Sequence, residues 1–525
     1  MSGLSDNSTG IRLLKKGRHG LLRAIFSRAG LLLILMLLQI LLFVVVFGRL
    51  RIYLPHYVTI GAVFSAVMAL YLLNSRHDNS TKITWIVVIM LLPVVGALFY
   101  LYTRSDIGHR LLRDRFARLS DATRDSIPQD PETVERFRRG EPEAVGLTNY
   151  VNRTGRFPVY DQTDVRYFPL GDDMFPVLLE ELEKAEKFIF LEYFIIQEGY
   201  MWGRILDILT RKAKEGVEIR VLYDGMCEMF TLPVNYWKLL EKVGIKARPF
   251  SEIRPIVSSH YNYRDHRKIM VIDGKVAFNG GVNLADEYIN RIERFGHWKD
   301  TAVMLRGPAV QSFTLMFLQM WYVGEKEPDY ASWLAEAPEA REAKGYVMPY
   351  CDSPLDGEKV GETVYMDILN RAVDYVHIMS PYLILDGELE TAMCFAAERG
   401  VDVKLILPGI PDKKVAYALA KTHYRRLTES GVKVYEYTPG FVHAKVFVSD
   451  DRKAVVGSIN LDYRSLYHHF ECATYLYRTD CIQEIEEDFQ QTLGKCRKVT
   501  AETIKGEKVF YKVVGQVVKF LSPLM

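Results

Sequence analysis

Two stretches of the chain carry five chemically distinctive residues at the same spacing. The first reads HRKIMVIDGKVAFNGGVN (266–283) and the second reads HAKVFVSDDRKAVVGSIN (443–460). Counted from each histidine, a lysine stands at +2, an aspartate at +7, a glycine at +14 and an asparagine at +17. The polar members of the motif are His266, Lys268, Asp273 and Asn283 in the first copy, and His443, Lys445, Asp450 and Asn460 in the second.

These residue types suit chemistry on a phosphate group. The apolar residues that follow each histidine predict a strand, and its two-residue period places His and Lys on one face. An ammonium group neutralises a phosphate oxygen, while an imidazole attacks phosphorus or transfers a proton. Two copies supply two histidines, so one can be the nucleophile and the other the acid. Small residues such as Gly281 and Ser458 allow close approach, and the two asparagines offer amide donors to phosphate.

The elements that carry the motifs follow a regular order. Short apolar runs alternate with amphipathic stretches, which is typical of β-α-β units. The same order returns at 376–409, and aligning Gly216 with Gly400 gives an offset of 184 residues. This period is too long for a solenoid and indicates a duplicated α/β domain. We predict one domain at 146–335 and a second at 336–525.

The N-terminal region, residues 1–118, has a different composition. It carries 15 Lys and Arg against 4 Asp, a net charge of +11, whereas the rest of the chain carries −9. Three stretches in it lack Asp, Glu, Lys and Arg: 29–48, 54–73 and 83–102. As helices they would each be about 30 Å long, the thickness of a bilayer core, so we predict three transmembrane helices. The charged, proline-containing segment 119–145 predicts a linker.

Composition excludes some classes of protein. The 525 residues are 49% apolar and 25% charged with a net charge of +2, which excludes a disordered chain. The net negative charge beyond residue 118 argues against a nucleic-acid partner. Six cysteines are scattered without a C-x-x-C pair, which predicts free thiols in a reducing compartment and neither disulfides nor a zinc site.

The paired H-x-K-x4-D motifs resemble those of the phospholipase D superfamily, and other stretches resemble bacterial cardiolipin synthases. Those stretches are TWIVVIMLLPVVGALFYLY (84–102), LEYFIIQEG (191–199), GGVNLADEY (280–288), HWKD (297–300) and GSINLDYRS (457–465). The resemblance implies an α/β fold of two tandem phospholipase D-like domains, related by a pseudo-two-fold axis, with one shared active site. That family generally has two N-terminal spans, so the stretch 29–48 departs from its pattern.

The resemblance also implies a role for each motif residue. His266 and His443 would be the nucleophile and the general acid/base, with His266 favoured as the nucleophile. Lysine, asparagine and serine side chains would contact phosphate or orient a histidine. These candidates are Lys268, Lys445, Asn283, Asn460 and Ser458.

The family further places an acidic residue behind each histidine, which fixes its tautomer. The matching candidates are Asp300, 34 residues after His266, and Glu471, 28 residues after His443. The motif aspartates would point to the opposite face of the strand, which predicts a structural role. These two aspartates are Asp273 and Asp450.

The resemblance implies a cardiolipin synthase that acts in two steps. A histidine would take a phosphatidyl group from one phosphatidylglycerol and pass it to a second, giving cardiolipin and glycerol. No nucleotide, metal or other cofactor is predicted, because lysine and imidazolium neutralise the phosphate charge. Phosphatidylglycerol and anionic membrane lipids are the predicted partners, and the bacterial plasma membrane is the predicted location of a multi-pass protein.

Three alternative functions stay open from the sequence. A membrane-bound hydrolase of the phospholipase D type would use the same residues with water as the acceptor. A phosphatidyltransferase with a different donor or acceptor, such as phosphatidylethanolamine or another polyol, would use the same site. A non-catalytic membrane scaffold has no need for both histidines and both lysines in register, which disfavours it.

Overall fold

A computed structural model gives the fold of the protein and describes most of the chain. The described residues are 41, 54–75, 79–92, 96, 97, 99–101, 107–251, 263–323, 325, 328–334 and 338–522. They belong to two compact units, of which the larger contains Leu112–Glu252 and Asn262–Lys519 and the smaller contains Lys16–Leu111. Only residue 41 of the predicted span 29–48 is described, so that prediction lies outside the described residues.

The smaller unit contains two helices that coincide with apolar stretches, α1 (Leu54–Leu73) and α2 (Asn79–Leu91). Helix α2 ends two residues before Pro93, whereas the sequence predicts a continuous helix over 83–102. Proline removes a backbone donor and disfavours helical geometry in the residue before it, which accounts for the earlier end. None of the helices in the described ranges has both the length and the apolar character required to cross a bilayer.

The larger unit is built on two sheets, one for each motif copy, and we call the two halves the first and second lobes. The strands of the first lobe are β1 (Asp164–Phe168), β2 (Phe188–Tyr193), β3 (Glu218–Asp224), β4 (Lys246–Phe250), β5 (Arg264–Asp265), β6 (Lys268–Ile272), β7 (Val276–Gly280), β8 (His297–Lys299) and β9 (Ala302–Arg306). Among the described residues the first sheet has the strand order β1-β9-β7-β6-β2-β3-β4.

The second lobe carries the second sheet. Its strands are β10 (Tyr346–Asp352), β11 (Tyr375–Met379), β12 (Asp402–Pro408), β13 (Lys433–Tyr437), β14 (Gly440–Val442), β15 (Val446–Ser449), β16 (Lys453–Gly457), β17 (His469–Tyr477) and β18 (Cys496–Lys498). The order in this sheet is β10-β17-β16-β15-β11-β12-β13-β18.

The two sheets repeat one topology. In the first lobe β2, β3 and β4 are parallel neighbours, and β6, β7 and β9 join them as antiparallel strands. In the second lobe β11, β12 and β13 form the parallel set, and β15, β16 and β17 form the antiparallel set. The predicted duplication of an α/β domain is therefore confirmed.

Helices cover the sheets, and alternate strand residues face different cores. Ile189 and Leu191 of β2 pack into the outer core of the first lobe, whereas Phe190 faces a core that contains residues of both sheets. The remaining helices are α3 (Ile107–Ala122), α4 (Pro131–Gly140), α5 (Val145–Gly155), α6 (Gly171–Glu183), α7 (Tyr200–Lys214), α8 (Cys227–Phe230), α9 (Tyr236–Glu241), α10 (Val310–Tyr322), α11 (Ala331–Leu334), α12 (Val360–Arg371), α13 (Gly387–Glu398), α14 (Lys414–Glu429), α15 (Tyr463–Tyr467), α16 (Cys481–Leu493), α17 (Ala501–Lys505) and α18 (Val509–Leu521).

The segment 119–145, whose composition predicts a linker, instead contains helix α4. Asp130 caps this helix by accepting hydrogen bonds from two backbone N–H groups. The buried ring of Phe137 lies 4.5 Å from the ring of Tyr346 and 5.5 Å from that of Tyr477, measured between centroids. One aromatic side chain therefore fixes a highly charged helix against the second sheet, and this contact outweighs the polar composition of the segment.

The glycine at position +14 of each motif lies where two strands approach closely. A Cβ atom on Gly457 would lie 2.3 Å from Cβ of Ala473, and one on Gly280 would lie 2.4 Å from the carbonyl oxygen of Thr301. Both distances are shorter than van der Waals contact. Only glycine fits at these positions unless the neighbouring strand moves.

Replacing Gly457 by alanine tests this packing constraint. We expect Gly457→Ala to lower the free energy of unfolding by about 1–3 kcal/mol, because the methyl group forces β16 away from β17. Urea unfolding of the full chain in detergent, followed by tryptophan fluorescence, measures the change. Gly387→Ala is the matched control, since a Cβ atom on Gly387 meets no other heavy atom within 4 Å. Equal stability of the two variants would contradict the assignment.

Candidate active site

The first motif histidine is placed by a short strand that pairs with the other lobe. Strand β5 ends immediately before His266 and pairs in parallel with β17, so that Asp265 lies opposite Phe470. The backbone N–H of His266 donates to the carbonyl oxygen of Phe470 at 2.9 Å. The next residue, Glu471, places its two carboxylate oxygens 2.8 and 3.0 Å from Nδ1 of His266. The second lobe thus supplies the carboxylate for the first lobe's histidine.

The second motif histidine is placed in the same way, with the lobes exchanged. Strand β14 ends immediately before His443 and pairs in parallel with β8, so that Val442 lies opposite Lys299. The backbone N–H of His443 donates to the carbonyl oxygen of Lys299 at 2.7 Å. The next residue, Asp300, places Oδ2 at 2.6 Å from Nδ1 of His443. The first lobe thus supplies the carboxylate for the second lobe's histidine.

This crossing corrects the pairing expected from chain order. The sequence assigns Asp300 to His266 and Glu471 to His443, each acid following its own histidine, and the structure shows the opposite pairing. The physical reason is the parallel pairing of β5 with β17 and of β14 with β8, which exists only in the folded protein. Each lobe alone holds a histidine without its carboxylate.

The two motif lysines complete a buried group of four side chains. His266, Lys268, His443 and Lys445 are all at most 7% exposed. Each lysine Nζ donates to the carbonyl oxygen of its own motif histidine, and Nζ of Lys445 also lies 2.8 Å from Nδ1 of His443. Burial lowers the pKa of His266, and the positive charges of Lys268 and Lys445 lower it further. The two motif copies therefore form one electrostatic site.

Burial determines the ionisation of these four groups. It lowers the pKa of His266 well below its ordinary value and lowers the pKa of His443 to about 4. It also lowers the pKa of Lys268 to about 8 and that of Lys445 to about 7. A phosphate anion supplies the missing negative charge and raises all four pKa values, because an opposite charge favours the protonated forms. Before an anion binds, both imidazoles are neutral, and donation from Nδ1 to a carboxylate leaves Nε2 free to attack.

Ser458 belongs to the network that orients His266. Its hydroxyl donates to Oε2 of Glu471 and accepts from the backbone N–H of Cys472 at 3.1 Å. Because a hydroxyl has one proton and Ser458 uses it on Glu471, this side chain positions the carboxylate instead of contacting a ligand.

The two motif asparagines have different surroundings. Oδ1 of Asn283 accepts from the backbone N–H of Ile195 at 3.0 Å, and its Nδ2 donates to the hydroxyl of Tyr288 at 2.8 Å. Oδ1 of Asn460 is buried and has no hydrogen-bond partner among the residues that the structure describes. Asn283 therefore holds the neighbouring loop in place, and Asn460 is the asparagine with hydrogen-bonding capacity left for a ligand.

The motif aspartates lie at the ends of their strands away from the histidines. Asp273 accepts hydrogen bonds from the backbone N–H groups of residues 186–188 at 2.7 to 2.8 Å. Asp450 accepts from those of residues 373–375 at 2.9 to 3.0 Å. Each aspartate thus fastens a hairpin turn to the start of the neighbouring strand, β2 or β11.

Two aromatic residues that the sequence analysis did not single out pack against the histidines. The ring of His469 lies 5.4 Å from that of His266, and the ring of Trp298 lies 5.5 Å from that of His443. Burial lowers the pKa of His469 to about 3, so this side chain is neutral. His469 and Trp298 each stand two residues before a crossed carboxylate. An alignment of the two copies that places Asp300 on Glu471 also places Trp298 on His469, and this is the sequence signal that would have identified these two aromatic residues.

Two groups of side chains in the described ranges have ligand atoms close enough for a cation. In the first, His266, His469 and Glu471 have ligand atoms within 4.8 Å of one another. In this group Nδ1 of His266 already donates to Glu471, so a cation there would displace the proton that orients the imidazole. The second group is Glu362, Asp386 and Glu388.

The duplicated fold and the shared pair of H-x-K motifs define an enzyme of the phospholipase D superfamily. A family model described as "Cardiolipin synthase, PLD-like domain" matches residues 178–321 and 365–493, one match in each lobe. A second model, "Phospholipase_D-nuclease N-terminal", matches residues 58–104. The chain belongs to the cardiolipin synthase family.

Individual relatives and a solved structure agree with this membership. A Streptococcus mutans serotype c (strain ATCC 700610 / UA159) protein described as uncharacterized is 59% identical over 87% of this chain and 99% of its own. A cardiolipin synthase of Geobacillus sp. (strain WCH70) is 34% identical over 86% of this chain and 90% of its own. The crystal structure of phosphatidylserine synthase from Haemophilus influenzae Rd KW20 has a TM-score of 0.56 at 14% identity, over 73% of this chain and 98% of that one. At that identity the likeness supports the fold alone.

Replacing Lys445 by methionine tests the cost of the buried charge. The pKa of Lys445 is about 7 in the folded protein and about 10.5 in an unfolded chain. Between these values the unfolded chain binds one more proton, so the stability of the natural protein rises with pH over this window. We expect Lys445→Met to be more stable than the natural protein by about 2–5 kcal/mol at pH 7 and below, and the gap to shrink towards pH 10.

Urea unfolding of both proteins at several pH values measures this gap. Groups distant from Lys445 titrate equally in both proteins. His266 and His443, whose pKa values Lys445 lowers, already have pKa values below this pH window, so the difference between pH 7 and 10 chiefly reports the lysine. The control is Lys275→Met, in which the replaced lysine is exposed in the turn between β6 and β7. The assignment of a lowered pKa to Lys445 would be contradicted if the two proteins had equal free energies of unfolding, or if their difference grew as the pH rises from 7 to 10.

Proposed function

We propose that the protein transfers a phosphatidyl group between two phosphatidylglycerol molecules, giving cardiolipin and glycerol. The observation that carries the proposal is the crossed pair of histidines, each oriented by a carboxylate and accompanied by a lysine. A transferase that takes up a phosphatidyl group and then releases it needs one nucleophile and one acid/base. Relatives named cardiolipin synthase, 33–34% identical over 86% of this chain, support the choice of product.

In the first step Nε2 of His266 attacks the phosphorus of one phosphatidylglycerol. A P–N bond forms and the P–O bond to glycerol breaks, while protonated His443 donates its proton to the departing oxygen. The direction of this assignment has an electrostatic basis. Burial lowers the pKa of both histidines, and each has a carboxylate beside it that opposes the change. Asp300 lies 2.6 Å from Nδ1 of His443, whereas the negative charge of Glu471 beside His266 is shared with the hydroxyl proton of Ser458. His443 therefore takes up a proton more readily and suits the role of acid.

In the second step neutral His443 removes the proton from a headgroup hydroxyl of another phosphatidylglycerol. The hydroxyl oxygen attacks phosphorus, the P–N bond breaks, and cardiolipin leaves with His266 restored. Lys268 and Lys445 neutralise the phosphate oxygens in both steps, and their fixed positions spare the cost of reorganising solvent. One phosphodiester replaces another, so the reaction consumes no nucleotide.

The proposal includes a membrane location and a division into domains. We place the stretches 29–48, 54–73 and 83–102 across the cell membrane, and the two motif copies in domains 146–335 and 336–525. Three uncharged stretches of this length and the net charge of +11 over residues 1–118 support the placement. An anionic phospholipid substrate is consistent with a basic region beside the bilayer.

Incubation of the detergent-solubilised full chain with phosphatidylglycerol alone tests the reaction. We expect cardiolipin and glycerol in equal amounts, measured by lipid mass spectrometry and a glycerol assay. His266→Ala and His443→Ala should each lose at least about a thousandfold in rate, because each removes an essential step. His423→Ala is the matched control, since His423 pairs with Glu390 at 2.8 Å in a buried contact outside the motifs.

Other outcomes of that assay identify other functions. Phosphatidic acid without cardiolipin would identify a hydrolase. A transfer product other than cardiolipin, formed only when another donor or acceptor is added, would identify a different phosphatidyltransferase. Full activity in either motif variant would contradict the shared site.

A donor with a nitrophenol leaving group tests which histidine is the nucleophile. This leaving group needs no proton, so His443→Ala should still form the adduct at His266 but release it slowly, for want of a base. Mass spectrometry after an alkaline quench, which preserves phosphohistidine, should find the phosphatidyl group on His266. The opposite result would reverse the two roles: His266→Ala would carry the phosphatidyl group on His443, and His443→Ala would form no adduct on His266.

A further inference from the structure

Cardiolipin synthesis places a specific demand on the acceptor site. The acceptor phosphatidylglycerol carries its own phosphate, separated from the attacking hydroxyl by only a glycerol unit. A second negative charge must therefore enter beside the one held by Lys268 and Lys445. Like charges at this separation repel strongly in a poorly solvated site, so an efficient transferase needs further cations next to the catalytic group.

A shallow cleft in the second lobe borders the catalytic group. Phe441 lines this cleft, and its ring stacks on that of His443 with centroids 5.8 Å apart. The loop after β12 and the start of α14, including Asp412 and Lys413, also line this cleft. The cleft therefore opens beside the histidine that must deprotonate the acceptor hydroxyl.

Lys413 is a cation at this cleft whose charge is only partly compensated. Its Nζ donates to the hydroxyl of Tyr382 at 3.1 Å and lies 3.9 Å from Oδ2 of Asp412. That same Oδ2 already accepts a hydrogen bond from Tyr382 at 2.6 Å. The side chain of Lys413 is 66% exposed, so it has donors left for a ligand. Its positive charge lowers the pKa of His266, which indicates that the ammonium acts on the catalytic group.

Arg464 is a second cation near the same place. It lies in α15, four residues after the motif asparagine Asn460, and its side chain is partly buried. Its guanidinium makes no hydrogen bond or ion pair with any residue in the described ranges. Its segment lies beside the cleft, because the backbone N–H of Ile384 donates to the carbonyl oxygen of Leu461 at 2.8 Å, and the preceding Tyr382 and Leu383 line the cleft. Burial raises the pKa of Asp462, and the charges of Lys413 and Arg464 both oppose this rise, so both cations act on one carboxylate. An arginine that is partly removed from water and has no carboxylate in direct contact favours binding of an anion.

We propose that Lys413 and Arg464 bind the phosphate of the acceptor phospholipid, which makes the cleft beside Phe441 the acceptor subsite. This inference rests on the proposed function and adds the position of the second substrate to it. Lys268 and Lys445 hold the phosphate that reacts, and the second pair of cations holds the phosphate that does not. The glycerol unit between the two phosphates then lies next to His443.

Two reactions of the same enzyme separate the acceptor subsite from the donor site. Cardiolipin formation from phosphatidylglycerol uses both sites, whereas exchange of isotope-labelled glycerol into phosphatidylglycerol uses an acceptor without a phosphate. We expect Lys413→Gln and Arg464→Gln each to lower the ratio of cardiolipin formation to glycerol exchange by about 10- to 100-fold, the effect of losing a charged hydrogen bond. The full chain in detergent micelles is used for both assays.

Charge-preserving and neighbouring variants provide the controls. Lys413→Arg and Arg464→Lys should keep most of the ratio, because each retains a cation. Lys414→Gln and Arg425→Gln remove equal charges from exposed positions on α14 and should leave the ratio unchanged. Glycerol exchange in each variant also shows that the protein is folded.

The remaining outcomes overturn the inference. An unchanged ratio in Lys413→Gln and Arg464→Gln would show that neither cation contacts the acceptor. An equal fall in both reactions would place the two cations at the donor site. Glycerol exchange without any cardiolipin from the natural protein would overturn the proposed function, and this inference with it.

Discussion

Two hydrogen bonds that cross between the lobes are the constraint on which the active site depends. Glu471 of the second lobe orients His266, and Asp300 of the first lobe orients His443. Two short parallel strand pairs set these bonds, and each pair includes the residue next to a histidine. Neither lobe can align its own imidazole, so the duplicated domains function only as a joined pair. The reciprocal exchange of carboxylates between the lobes is thus a requirement of the chemistry as well as a record of duplication.

Burial makes this site selective for anions before any ligand arrives. The histidines and lysines pay a desolvation cost that a phosphate relieves, because its charge favours their protonated forms. The strand period places Arg267 on the other face of β6, where its Nε lies 2.9 Å from Glu192. In the second copy Ala444 occupies the equivalent position. The two lobes therefore differ in the buried residue that follows each motif histidine, which is consistent with different roles for the two histidines.

Much of this arrangement follows from the sequence, and the rest depends on tertiary contacts. Repeated spacing predicted the duplicated fold, and strand alternation predicted that His266 and Lys268 share one face and that Asp273 points to the other. The crossing was not predictable from chain order, because it arises from strands more than a hundred residues apart. The helix at 131–140 was not predicted for a similar reason, since the buried contact that holds it, between Phe137 and the second sheet, joins residues more than two hundred positions apart.

That helix has a consequence for how the protein is made. Helices α4 and α5 leave the ribosome before the first lobe, yet Phe137 and Leu147 belong to the core of the second lobe. Their partner strand β10 begins at Tyr346, about two hundred residues later. Contacts at such separation form slowly, because a long loop must close first. The nascent chain therefore carries these apolar faces uncovered until the first lobe has been synthesised, a period in which they are open to chaperones or to aggregation.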